Sequence, residues 1–297
     1  MPYFSFLEWA PGGCRNVAPV NTAVDWQASR HYHDRLVSHL TGRLLSRTGE
    51  FVCPSSALCS ASAQARGFGF AGGQLSYVGD AYACSVGRYP LRLLVVSMQV
   101  GDAESPVTMA RRTEQIMARV PERPGQRNPH MRGVTRALQL LHGLSVDTAD
   151  EHLADGTHVL RAFAMANSTL CSALPTGGKS RRGRPTDAML EHCAQYLEAT
   201  ILTLEPTVLQ VQGADTLAAI DRLARTIEPF TKEVAVIELM GRQMLRCATS
   251  HPAAGPPVSW SSLQPGSYFA NLIAPSLQLT RELALGGQVD SGQQSPH

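Results

Sequence analysis

The stretch that decides the fold runs from residue 159 to residue 213: VLRAFAMANSTLC (159–171), SALPTGGKSRRGRPTDAMLEHCAQYL (172–197) and EATILTLEPTVLQVQG (198–213). It opens on an apolar run that ends near Asn167 and Cys171. A loop rich in Gly, Pro and Arg follows. A helical pattern then covers 187–204, with Thr186 as N-cap and Pro206 just past its end. That helix carries Cys193, and a second apolar run, 207–211, closes at Gly213. Short unbroken apolar runs fit strands buried on both faces. Two cysteines therefore bracket a basic loop between two buried strands. The pattern suggests a metal centre bracing a phosphate-binding loop at one edge of a sheet.

The same alternation extends in both directions. Residues 91–96 (LRLLVV) predict another buried strand, followed by SMQVGDAES over 97–105. Residues 133–144 predict an amphipathic helix closed by Gly143, and residues 214–227 predict another. EVAVIEL (233–239) alternates, turns at Gly241 and returns as MLRCATS before His251-Pro252. Residues 271–285 predict the last helix. Residues 60–90 read as a long ordered loop with one or two short strands, and 106–126 as a polar, mobile surface segment. The helix over 31–47 carries His31, His33 and His39. His33 and His39 share a helix face poorly, so a solvated helix accounts for them better than a metal site. Strands alternating with helices predict an α/β fold: a three-layer α/β/α sandwich around a mostly parallel sheet. Residues 1–50 are expected as an arm and helix, 51–285 as one domain, and 286–297 as a disordered tail. Ligands of such folds bind beyond the carboxyl ends of the strands, where 97–102, Asn167 and His251 fall.

Totals narrow the classes further. The chain has 297 residues, 43% hydrophobic and 17% charged, with a net charge of +2. Whole-molecule charge therefore gives no case for nucleic acid. Of 26 basic residues only Lys179 and Lys232 are lysines, and arginine suits two-bonded phosphate contacts, although GC-rich coding explains much of the bias. No apolar run of about 18 residues predicts a membrane span. The opening MPYFSFLEWAPGG lacks the basic and apolar regions of a secretory signal. A cytoplasmic location follows as the expectation, with the seven cysteines as free thiols or metal ligands.

Four segments in order resemble the uracil-DNA glycosylase superfamily, nearest its iron–sulfur branch. They are LLVVSMQVGDAES (93–105), MANSTLC (165–171), EHCAQYLEATILTLEPTVLQVQG (191–213) and SHPAAG (250–255). The resemblance runs from about Cys53 to Leu283 and departs at informative places. Ser97-Met98 stand where the family has Gly-Glu. Gln99 stands where the best-known branch has its water-handling aspartate. Val100 replaces a proline, and Met131 falls at the stacking phenylalanine.

The resemblance implies a DNA-binding monomer with a [4Fe–4S] cluster, or zinc, on Cys53, Cys59, Cys171 and Cys193; Cys84 is an alternative ligand. His251 would stabilise the departing base. Asn167 would read the edge of a flipped pyrimidine, unless it only closes a turn. Asp102 or Gln99 would handle water, although Asp102 reads equally as a loop acid. Met98 and Met131 would shape the base pocket. Lys179, Arg181, Arg182 and Arg184 would meet phosphates, unless they form a solvated loop. Trp260 or Leu263 would wedge into the duplex. Losing the aromatic and the acid argues against a pocket tuned to uracil. A modified or bulky pyrimidine, such as the masked cytosines of phage DNA, fits better and would give a role in phage defence. Uracil repair, a catalytically silent DNA-binding module and a cluster-bearing protein partner are the alternatives.

Overall fold

The computed structural model describes residues 22–48, 50–98, 106–176 and 183–286. In chain order, strand β1 (Thr22–Val24) leads into helix α1 (Trp26–Leu44). Helix α2 (Ser56–Ala65) precedes the short strands β2 (Phe68–Ala71), β3 (Tyr77–Val78), β4 (Cys84–Val86) and β5 (Tyr89–Pro90), then β6 (Leu93–Ser97). Helices α3 (Met109–Met117) and α4 (Pro129–His142) follow, then β7 (Ala164–Asn167), β8 (Ser172–Pro175), α5 (Asp187–Leu204), β9 (Val208–Gln212) and α6 (Ala214–Leu223). The chain continues through β10 (Arg225–Pro229), β11 (Val234–Leu239), β12 (Arg242–Thr249) and α7 (Ala274–Ala284).

Seven strands form the main sheet, in the order β10-β11-β12-β9-β6-β7-β3. The four in the middle, β12, β9, β6 and β7, run parallel, and the flanking pairings are antiparallel. Burial on both faces explains the apolar character of β6. Leu93 and Val95 join a core with Val134 and Leu138 of α4 and Leu277 of α7. Leu94 and Val96 join a second core with Leu36 and Leu40 of α1 and Leu197 of α5. Each such side chain removed from water contributes roughly 1.5–3 kcal/mol.

Several local expectations need correction. The first helix starts at Trp26, where the Asp25 carboxylate caps the Ala28 N–H. Residues 56–65 are helical, not loop. The apolar run at 159–163 is not strand, because Val159–Arg161 form a 3-10 turn and β7 begins only at Ala164. The helix after Gly213 stops at Leu223, since 225–229 pair with β11 as the edge strand. The segment 106–126 is ordered by α3, whose Arg112 is buried and donates to Gln74 Oε1 at 3.0 Å.

Among the four parallel strands the chain visits β6 first, then β7 on one side, then β9 and β12 on the other. The direction of winding reverses between β6 and β9. A crevice opens at the carboxyl ends of strands at such a reversal.

Candidate active site

Ser97 ends β6, Gln212 ends β9 and Thr249 ends β12. Their side chains make one buried polar relay. The Ser97 hydroxyl donates to Gln212 Oε1 at 2.7 Å. Gln212 Nε2 donates to Gln210 Oε1 at 2.8 Å, and Gln210 Nε2 donates to Thr249 Oγ1 at 2.9 Å. Ser97, Gln210 and Gln212 are each at most 2% exposed. Polar groups that deep cost several kcal/mol unless paired, and here each finds a partner on a neighbouring strand.

Helix α4 brings a histidine to this relay. Asn128 caps the helix by accepting the Met131 N–H, and Pro129 opens its first turn. His130 follows at once. Its Nε2 lies 2.9 Å from Gln212 Oε1 and 3.1 Å from Ser97 Oγ. Burial holds the His130 ring below the ordinary histidine pKa; the Gln212 bond works upward and the Arg112 charge downward.

His251 follows β12 and stacks on His130, with ring centroids 4.9 Å apart and planes 10° from parallel. The Ala253 N–H donates to His251 Nδ1 at 3.2 Å. That bond fixes the neutral ring with its proton on Nε2. The stack is possible because α4 and the His251-Pro252 loop touch through Gly133. A Cβ there would lie 2.3 Å from Pro252 Cβ.

Asn167 ends β7 and stands in register with Ser97. The residue is 8% exposed, and its side chain makes no hydrogen bond to a described residue. The turn beyond it is tied to β6, since the Ser168 hydroxyl donates to the Met98 carbonyl at 2.7 Å. Asn167, Met98 and His251 therefore reach one edge of the sheet, as expected from sequence. Gln99, Asp102, Lys179, Arg181 and Arg182 lie outside the described residues. Arg184 is exposed, with Nε 3.9 Å from Asp215 Oδ2.

Two expectations at this site fail. Trp260 is no wedge: it is 1% exposed, and its indole N–H donates to Ser250 Oγ at 2.8 Å. Met131 follows His130 but is buried in the core beneath α4, 5% exposed, so it lines no open pocket. Leu263 is half-buried against the same core and keeps an exposed part.

Sequence reading missed His130 and the two glutamines. The signals were present: Asn-Pro-His is a helix start, and two glutamines interrupt an apolar strand at alternate positions.

Cys193 and Cys53 lie with the α1–α5 core, whereas Cys59 and Cys171 belong to a smaller cluster with Ala63, Ala173 and Met189. Cys53 is half-buried just before α2, Cys59 is buried in α2, Cys171 follows β7 and Cys193 lies in α5. Burial pushes the Cys193 thiol up to about 12, and charge on Cys59 and Cys53 adds to the shift. Burial also raises Cys171, again with contributions from Cys193, Cys59 and Cys53. Among the described residues, no three His, Cys, Asp or Glu side chains are gathered tightly enough to hold a metal ion. Cys84 is separate. It sits in the α4-side core and donates to the Leu91 carbonyl at 3.0 Å, so it is no alternative to Cys53 or Cys59. Cys247 is a fully buried thiol of β12.

No protein-family model matches the chain, and no curated protein does. No helix of the described residues is long and apolar enough to cross a membrane.

Proposed function

We propose that the chain is a DNA glycosylase with a three-layer α/β/α fold of the uracil-DNA glycosylase type. It flips a pyrimidine out of DNA and hydrolyses the bond between base and sugar. One observation carries this reading. Asn167, whose amide is engaged by no described residue, and His251 are joined at a single sheet edge through Ser97, Gln212 and His130. An amide offers a donor and an acceptor to the pairing edge of an extruded base. The His251 Nε2–H is suited to donate to a carbonyl oxygen that gains negative charge as the base departs. The substrate we favour is a modified or bulky cytosine, as in masked phage DNA, because the segment after β6 offers Met98 and Gln99 where uracil-specific relatives are expected to carry an acid.

Cys53, Cys59, Cys171 and Cys193 are the residues that would hold a [4Fe–4S] cluster. Four thiolates suit such a cluster or, as the alternative, a single zinc ion. Such a centre would supply structural bracing here. Arg184 and the neighbouring basic segment would meet phosphates, the protein acting as a cytoplasmic monomer.

The test uses duplexes carrying uracil, 5-hydroxymethylcytosine or glucosylated 5-hydroxymethylcytosine. Abasic sites should form from a modified cytosine and should fall sharply with His251→Ala. Release of uracil alone defeats the substrate assignment. Binding of DNA with no abasic site from any duplex supports a silent DNA-binding module instead.

A further inference from the structure

His130 has one nitrogen engaged and one left over. Gln212 Oε1 takes the Ser97 O–H at 2.7 Å and lies 2.9 Å from His130 Nε2, while the Gln212 amide nitrogen is committed to Gln210. A carbonyl oxygen only accepts, so His130 Nε2 carries the ring proton. Nδ1 then holds a lone pair, and it meets no described residue. His251 is the complement: its Nδ1 accepts from the Ala253 N–H, so the neutral ring carries its proton on Nε2. Two stacked imidazoles 4.9 Å apart resist carrying charge together. One ring is thus set as a base and its neighbour as a donor, which is how paired groups divide acid and base work.

We propose that His130 is the proton acceptor of this site, its Nε2–H tautomer fixed by Gln212 so that Nδ1 takes a proton from the attacking water. The proposal rests on the glycosylase reading and names the group that reading left open. The water oxygen bonds to C1′ of the flipped nucleotide as the C1′–N bond breaks. The electron pair of that bond goes to the base, whose oxygen accepts from His251. The water proton passes to His130 and then to the departing base, so the ring returns neutral.

Among the described residues, the charged and titratable groups facing His130 are Arg112 and His251. Arginine keeps its charge at working pH, so of these two groups only the histidine titrates with His130, and the Gln212 variant isolates His130 itself. Gln212→Glu places a carboxylate against Nε2 and raises the His130 pKa. The acid limb of kcat/KM should then move to higher pH, whereas a merely structural role leaves it in place. His130→Gln should lower base release about 100-fold or more while keeping the thermal transition of the full chain. Long-range nitrogen–proton spectra of the histidine-labelled full chain read the tautomer without any substrate. A proton on Nε2 and none on Nδ1 supports the proposal; the reverse overturns it. Full-rate release by His130→Gln with an unshifted profile overturns the proposal and leaves the glycosylase reading standing. No release by the unmodified protein from any of the three duplexes overturns both.

Discussion

Arg127 grips Glu151 through two parallel hydrogen bonds, each guanidinium nitrogen 2.6 Å from its own carboxylate oxygen. Both side chains are buried. His158 Nε2 lies 2.8 Å from the same carboxylate, and Thr135 of α4 accepts from Arg127 at 3.1 Å. The cluster ties the loop after α4 back onto that helix, and so holds the element that carries His130.

Removing one partner of a buried pair leaves an uncompensated charge. Glu151→Gln should therefore lower unfolding stability by about 3–5 kcal/mol, read from urea midpoints at neutral pH. Burial pushes the Glu151 carboxyl up, but the bonds from His158 and Arg127 outweigh it, so its pKa ends below the ordinary value. A depressed carboxylate stabilises the fold above its unfolded pKa of about 4.3 and loses that contribution as pH falls through the folded value. The urea midpoint of Glu151→Gln should accordingly change less with acidification than that of the parent. Equal acid sensitivity in both would assign it to other carboxylates.

Gly133→Ala tests the contact between α4 and the loop after β12. Its Cβ would overlap Pro252 and crowd Trp260 Cε3 at 3.1 Å. Overpacking of this kind costs about 1–3 kcal/mol. Helix propensity alone would make the alanine variant more stable by up to about 1 kcal/mol. The thermal midpoint decides between the two, and a rise would mean the loop yields easily.

The thiols divide into two groups. Full-length protein purified without oxygen should show visible iron–sulfur absorbance. Cys193→Ser should remove it, while Cys84→Ser should leave it intact, because Cys84 faces a different core. Bound zinc in a colourless protein would instead assign the thiols to a single ion.

Trp260 and Leu263 should behave oppositely. Trp260→Ala should cost about 3–5 kcal/mol of stability as a core truncation, with Trp260→Phe leaving DNA affinity unchanged. Leu263→Ala should cost about 1 kcal/mol and weaken binding to a duplex with an extruded base. Anisotropy titrations at fixed salt distinguish the two residues.

The parallel centre of the sheet was legible because LLVVS sends alternate residues into two apolar cores, which leaves no polar face to interrupt the run. The polar relay was hidden for the converse reason. Gln210 and Gln212 sit in an apolar strand, and their partners come from β12, β6 and α4, which no local pattern relates. Helix α4 was read from its apolar positions alone, starting at Gly133. The cap at Asn128 and the proline at 129 place the start four residues earlier, and that first turn holds His130. Arg112 looked like a surface charge because Gln74, its buried partner, lies far back in the chain. Trp260 sits among Gly, Pro and Ser, a composition that suggests an open loop, yet a single hydroxyl at Ser250 and a missing side chain at Gly133 give it a place inside.

The relay from Ser97 through Gln212 and Gln210 to Thr249 draws on three strands far apart in sequence, and its stacked ring comes later still. A chain cut before Thr249 would lack the last acceptor of the series. The two ends of the relay thus enter the structure from opposite halves of the chain.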